Sequence, residues 1–291
     1  MKKTNRHIIF VFIILFIGYF LYKNIVGSVF LKKRDRVNVV FFGSNTIYYS
    51  LGIQDISYFF TVFPDSEIEV PGGYGFYRIG ALGKLVSLEK QKDIFKKTFS
   101  AASSSFVDLY FYPKESIIFY SENQPKKSLL STIHIFTDNS NANLLDRVLL
   151  WLLLVRKPGN QFKEITKIPY SKEGNRELFN REEFFKEFQG FFYKKTYRNI
   201  NDTVQILYTK NYKTALLISN ILEGEGIQVV DLSETGSSSK TCRVIYGKDT
   251  VNDTTPQDIQ QFFGCSMEKS QTDVSDIILV LGNLEKDWEV D

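Results

Sequence analysis

The sequence is poor in the residues that most enzymes work with: 291 positions carry two histidines, two cysteines, two methionines and two tryptophans. With only His7 and His134, there is almost no material for imidazole general-base catalysis or for a zinc site built on histidine. His7 falls in an N-terminal flank, and His134, inside the alternating stretch "STIHIF", reads as a sheet residue. No G-x-S-x-G elbow is present, and "SAASSS" (100–105) reads as the end of a helix rather than a nucleophile site. An excess of one charge is also lacking. Lys and Arg total 36 against 33 Asp and Glu, a formal +3, so nothing calls for a polyanionic partner and no nucleic-acid binding is expected. No metal or cofactor is expected either.

What the chain does have is apolar and aromatic side chains, 43% and 15% of the total, enough for substantial cores. The front is different in texture. "MKKTNR" precedes "HIIFVFIILFIGYFLYKNIVGSVFL", in which Ile8 to Tyr22 is free of charge and apolar character resumes up to Leu31. A helix needs ~20 residues to cross the hydrocarbon core, so residues 1–36 are expected to form a transmembrane anchor with basic flanks, Lys23 reaching towards the interface. The alternative is a cleaved signal peptide; no small-x-small site precedes "KKRDR", which favours the anchor. Basic residues stand on both sides of the segment, and the expected arrangement is a single pass with the body outside the cytoplasm.

Residues 37–162 read as a mixed α/β domain. "RVNVVFFGSNT" is a strand ending in a turn, "ISYFFTVF" a second strand, and a short strand follows the Pro-Asp turn. A helix is expected from about Ile79, another over "DIFKKTFSAASSSF", and strands over "FVDLYFYP" and "SIIFYS". "NANLLDRVLLWLLLVRK" is a strongly apolar helix, capped by Asn141 or Asn143 and stopped by Pro158-Gly159; its apolar run is too short to cross a bilayer and suits a buried core helix. Residues 163–202 read as a helical connector. There Phe184, Phe185, Phe188, Phe191 and Phe192 form a stripe at helical spacing that should dock on a flanking domain.

The last part, 203–288, reads strand, helix, strand, strand, helix, strand. Val204–Tyr208 leads into a helix over 213–222 that ends at Gly224 and Gly226. Ile227–Leu232, "CRVIYG", the helix "TTPQDIQQFFG" and "DIILVLG" complete the series. That order predicts a ferredoxin-like β-α-β-β-α-β sheet. Both cysteines lie here, Cys242 before a strand and Cys265 at the end of the next helix. In an oxidising compartment they could bridge; otherwise they are two buried thiols.

The segment richest in possible ligand contacts is "VPGGYGFYRIGALGKL" (70–85). Gly72, Gly73 and Gly75 allow close backbone approach, Arg78 could meet a phosphate with two hydrogen bonds, and a helix N-terminus follows. The plain alternative is a tight loop whose tyrosines cover the core edge.

Two resemblances follow from these segments. "VQILYTKNYKTALLISNILEGEGIQVVDL", "CRVIYG", "TPQDIQQFFG" and "DIILVLG" resemble the LytR/CpsR regulator C-terminal domain, although "YTKNYK" stands where that family has a turn such as "NGTG". "RVNVVFFGSNT" and "VPGGYGFYRIGALGKL" are similar to the LytR-CpsA-Psr domain, over roughly Val37 to Tyr112. Those enzymes transfer glycopolymers from a polyprenyl-pyrophosphate carrier to the cell wall. Their charged positions are largely replaced here: Ser44-Asn45 stands where an Asp is common, Pro64-Asp65 where an Arg-Asp pair is, and Arg78 is the basic position retained. The resemblance therefore implies a degenerate relative: an extracytoplasmic cell-envelope protein that binds or scaffolds at the wall, its partner an envelope polymer or envelope protein. The alternative is a glycopolymer phosphotransferase with Arg78 beside the carrier pyrophosphate. A deep apolar tunnel beside Arg78 would favour the enzyme; an interior filled by aromatic rings would count against it.

Overall fold

The computed structural model describes residues 2–32, 35–121, 132–236, 239–247 and 253–290, with side chains up to Val11 described only for Phe10. The basic Lys33 and Arg34, the His7 side chain and residues 237–238 of the expected Ser-rich turn lie outside the described residues. In chain order the helices are α1 (Lys2–Val26), α2 (Val29–Lys32), α3 (Leu82–Glu89), α4 (Asp93–Ser103), α5 (His134–Thr137), α6 (Leu144–Arg156), α7 (Arg181–Phe188), α8 (Lys195–Ile200), α9 (Tyr212–Glu225), α10 (Thr254–Phe263) and α11 (Leu284–Asp287). The strands are β1 (Arg36–Phe41), β2 (Thr46–Gly52), β3 (Ser57–Val62), β4 (Glu67–Val70), β5 (Gly75–Arg78), β6 (Leu109–Tyr112), β7 (Asn139–Ser140), β8 (Phe162–Glu164), β9 (Tyr170–Glu173), β10 (Arg176–Phe179), β11 (Thr203–Tyr208), β12 (Gln228–Glu234), β13 (Arg243–Tyr246), β14 (Ser266–Lys269) and β15 (Ile277–Val280).

Three sheets organise these elements: β7-β6-β1-β2-β3-β8, β5-β4-β10-β9 and β12-β11-β15-β13-β14. In the first, every residue of β1 and β2 is buried. Strand geometry sends alternate side chains to opposite faces, and both faces here meet a core. Val40, Phe42, Tyr48 and Phe60 enter one core with α3 and α4, while Val39, Phe41, Ile47, Tyr49 and Leu51 enter another beneath α6. Between the two, Asn38 and Ser50 satisfy each other: the Ser50 hydroxyl donates to Asn38 Oδ1 at 2.6 Å, and Asn38 Nδ2 donates to the Phe106 carbonyl at 3.0 Å.

The N-terminal transmembrane expectation is corrected. Among the described residues no helix is long and apolar enough to cross a membrane. The expected span counted across a break: α1 ends at Val26, and the charge-free run from Ile8 to Tyr22 is fifteen residues against the ~20 required. Beyond Gly27 the chain belongs to the folded body. The buried Ser28 hydroxyl donates to Asp146 Oδ1 at 2.7 Å, and Asn143 Nδ2 donates to the Asn24 carbonyl at 3.0 Å, fixing the exit of α1 on the start of α6. Asn143 also caps α6, its side chain accepting from the Asp146 amide.

Other expectations change as well. His134 opens the short helix α5 and faces Asp138 at 3.3 Å; it is not a sheet residue. "SIIFYS" forms no strand, and Phe119 instead donates its amide to the Gly80 carbonyl. Helix α6 buries Asp146 and Leu150 but leaves Leu144, Val155 and part of Trp151 exposed, so it is a half-covered helix rather than a buried one. The 163–202 segment carries strands as well as helices: β9 and β10 pair with each other, and β10 pairs with β4. Of its stripe, Phe184, Phe188 and Phe192 are buried in the first core, whereas Phe185 is half-buried and Phe191, beyond the end of α7, is exposed.

The C-terminal sheet is not ferredoxin-like. That fold splits its β-α-β units with an intervening strand, whereas β11 and β12 are direct parallel neighbours across α9. A fifth strand, β14, follows α10 and lies parallel to β13. β14 escaped the sequence because "SMEK" is an exposed edge strand with no apolar alternation.

Candidate functional site

β1 and β6 are parallel neighbours, Val39–Phe41 against Leu109–Phe111. In open α/β sheets ligands collect outside the carboxyl ends of such strands. At that edge lies a cleft of about 310 Å³, with Phe42, Val86, Tyr112 and Pro113 among its apolar lining and Lys90, Lys92 and Lys114 around it; Glu115 is the one acidic residue of the lining. Local structure explains the convergence. Lys90 adopts the left-handed conformation (φ 55°) that ends α3, so the chain reverses and Lys92 arrives just before α4. Pro113, which has no amide to donate, closes β6 and delivers Lys114. Gly83 belongs to the floor: a Cβ there would come within 2.9 Å of the Phe42 ring. Three exposed ammonium groups over one carboxylate give the cleft a positive field above an apolar base.

The residues singled out from the sequence are placed elsewhere. Gly72 and Gly73 form the turn between β4 and β5, both at positive φ, and their amides donate to the Glu289 carbonyl at 2.8 and 3.2 Å. The donors expected for a phosphate are thus occupied by the chain's own C-terminal segment. Gly75 (φ 66°) opens β5 opposite Val70. Arg78 lies 3.9 Å from Asp65 and 4.4 Å from the centre of the Tyr120 ring, in an ion pair and a cation–π contact. Cys242 and Cys265 are joined as a disulfide.

Aromatic rings pack against one another in the first core. Tyr48 stacks on Phe60 at 4.9 Å, Phe60 meets Phe184 at 5.0 Å, and Phe42 meets Phe95 at 4.9 Å. Burial pushes the Tyr48 hydroxyl well above its ordinary range, partly offset by hydrogen bonds with Ser103 and Ser105. Among the described residues no group of three or more His, Cys, Asp or Glu is arranged to hold a metal ion.

The lysine cleft was not legible as a motif. Its only signals were "KQK" after one helix and "PK" after one strand, separated by over twenty residues and united by the packing of α3 on α4 and of α4 on β6.

Comparison with known proteins gives no match to any family model and none to a curated protein, so the resemblance of 203–288 to the LytR/CpsR C-terminal domain stands without one. Solved structures of the LytR-CPS2A-psr family are similar to part of the chain. One is YwtF (TagT) with bound octaprenyl pyrophosphate lipid, 11% identical, covering 54% of this chain and 90% of that one, TM-score 0.37. Another is TagT bound to LIIa-WTA, 10% identical, covering 58% and 91%, TM-score 0.38. A transcriptional regulator from Enterococcus faecalis is 5% identical, covering 68% and 90%, TM-score 0.36.

Proposed function

We propose that this chain binds the phosphate-bearing end of a lipid-linked cell-envelope polymer in the lysine-rimmed cleft at the carboxyl ends of β1 and β6. The observation that carries the reading is the pairing of an apolar floor with Lys90, Lys92 and Lys114, which suits a ligand both apolar and anionic. The similarity of residues 37–112 to LytR-CpsA-Psr domains supplies the kind of amphiphile, a polyprenyl pyrophosphate. The disulfide supports a place outside the cytoplasm, where such bonds persist.

A second reading, transfer of the phosphoryl-linked polymer from its carrier to an acceptor hydroxyl, is favoured by the same ammonium groups, which would stabilise the charge gathering on the departing prenyl monophosphate. The engaged Gly72–Gly73 amides weigh towards binding alone.

The test uses the full chain and geranylgeranyl pyrophosphate in titration calorimetry. Saturable binding is expected, weakened at least tenfold in the triple variant Lys90→Glu, Lys92→Glu, Lys114→Glu, with no binding of geranylgeraniol. Absence of binding by the parent chain, or equal binding by the triple variant, sinks the reading. With a cell-wall glycan supplied as acceptor, formation of the phosphodiester-linked product together with release of the prenyl monophosphate from a sugar-bearing prenyl pyrophosphate would establish transfer.

A further inference from the structure

The turn that forms one wall of the lysine cleft borders a second cavity on its other side. This cleft, of about 280 Å³, opens where α4 and β6 face α10 of the C-terminal sheet, with Gly27 and Val29 closing one end. The two cavities are adjacent: Lys92 lines the first and Asp93, the next residue, lines the second. Likewise Tyr112 lines the first and Tyr110 the second, their rings 6.2 Å apart on the same face of β6. A single pyranose spans that separation.

The chemistry of the second cleft differs from that of the first. Two lysines, Lys32 and Lys96, are balanced by Asp93 and Asp258. A third carboxylate, Asp108, is committed to Lys194 at 3.1 Å and to the Asn38 amide at 2.9 Å. Gln261 adds an amide, with both a donor and an acceptor. Lys96 sits 4.1 Å over the Phe262 ring and donates to the Phe262 carbonyl at 2.5 Å, its one hydrogen-bond acceptor among the described residues, although an ammonium carries three donors. Burial holds that ammonium below its ordinary range, with Asp93 and Asp108 acting in opposition. Balanced charge with dense donors and acceptors suits an uncharged, polyhydroxylated ligand, and a junction between two structural units is a common place for such a site.

We propose that this second cleft binds the sugars nearest the carrier lipid, so that the polymer runs from the lysine cleft across the start of α4 and into the junction with α10. The inference rests on the reading of the first cleft. In effect the C-terminal unit reads which glycan the carrier bears, while the N-terminal half holds the phosphate.

The experiment compares geranylgeranyl pyrophosphate with geranylgeranyl-pyrophosphoryl sugars bearing N-acetylglucosamine, glucose or galactose, on the full chain by titration calorimetry. At least one sugar-bearing probe is expected to bind tenfold or more tightly than the bare lipid. That advantage should vanish in the double variant Asp93→Asn, Gln261→Ala, two exposed positions, while the affinity for the bare lipid stays unchanged. Bare-lipid binding with no sugar advantage, or an advantage that survives in the double variant, overturns this inference and leaves the first cleft standing. Failure of the parent chain to bind the bare lipid overturns both.

Discussion

Lys194 is among the largest fully buried side chains, and its ammonium lies between two carboxylates, Glu225 at 2.5 Å and Asp108 at 3.1 Å. Glu225 Oε2 in turn accepts the Phe106 amide at 2.8 Å. Burial pulls the Lys194 ammonium down and the two carboxylates more than reverse this, so it stays charged. Removing one partner of such a group strands the others without water, so Lys194→Met should cost about 3–5 kcal/mol in urea denaturation. Burial pushes the Glu225 carboxyl up, Lys194 pulls it down and Asp108 pushes it up again, leaving it at about 7. A carboxyl that holds its proton more tightly in the folded than in the unfolded chain favours folding at low pH. Its contribution is full below the ordinary value of 4.5 and is lost as the pH rises through about 7. Urea midpoints measured from pH 5 to pH 8 should therefore fall for the parent chain, and the part of that fall due to this group should be missing in Glu225→Gln.

At the scale of elements, the contact of α9 on the end of α4 is set by a glycine. The sequence suggested that Gly224 and Gly226 together end the helix, yet α9 continues through Glu225, and Gly226 (φ 106°) alone supplies the left-handed cap. Gly224 serves closeness instead: a Cβ there would lie 1.8 Å from the Ser104 carbonyl oxygen. Gly224→Ala must push the two helices apart and should cost about 3 kcal/mol, read as a lowered thermal midpoint. The second staple at this scale is the Cys242–Cys265 bridge, which ties the start of β13 to the start of β14 across α10 with a sequence separation of 23. A loop of that length implies about 3 kcal/mol of stabilisation, so reduction under native buffer should lower the urea midpoint, while a Cys242→Ser, Cys265→Ser variant becomes insensitive to reductant.

For the molecule as a whole, charge is nearly balanced at a formal +3, yet three lysines gather at one cleft. Exposed charges act through solvent and are screened by salt over about 10 Å at 0.1 M. Binding of geranylgeranyl pyrophosphate should accordingly weaken several-fold between 50 mM and 500 mM sodium chloride. In the Lys90→Glu, Lys92→Glu, Lys114→Glu variant the salt dependence should disappear along with the affinity. The same scale joins the two units: Lys194 follows the aromatic stripe, Asp108 precedes β6 and Glu225 ends α9, so one buried cluster couples three distant stretches of chain.

The sequence by itself determined the elements whose signal is local. The strand β1, the helices α4, α6, α9 and α10, and the docking of Phe184, Phe188 and Phe192 all follow from periodicity, caps and breakers, which act over a few residues. Only the tertiary structure decided which strands are neighbours, because pairing of β11 with both β12 and β15 depends on long-range packing that leaves no mark at fixed spacing. It also decided that the glycine loop at 72–75 clasps the C-terminal segment instead of a phosphate, since the acceptor at Glu289 lies over two hundred residues away. The apolar run at the front read as a membrane span because composition adds up along the chain, whereas the end of α1 at Val26 and the docking of Ser28 on Asp146 are set by the body it meets. The lysine cleft belongs to the same class: three ordinary surface residues become a site only when α3, α4 and β6 bring them to one sheet edge.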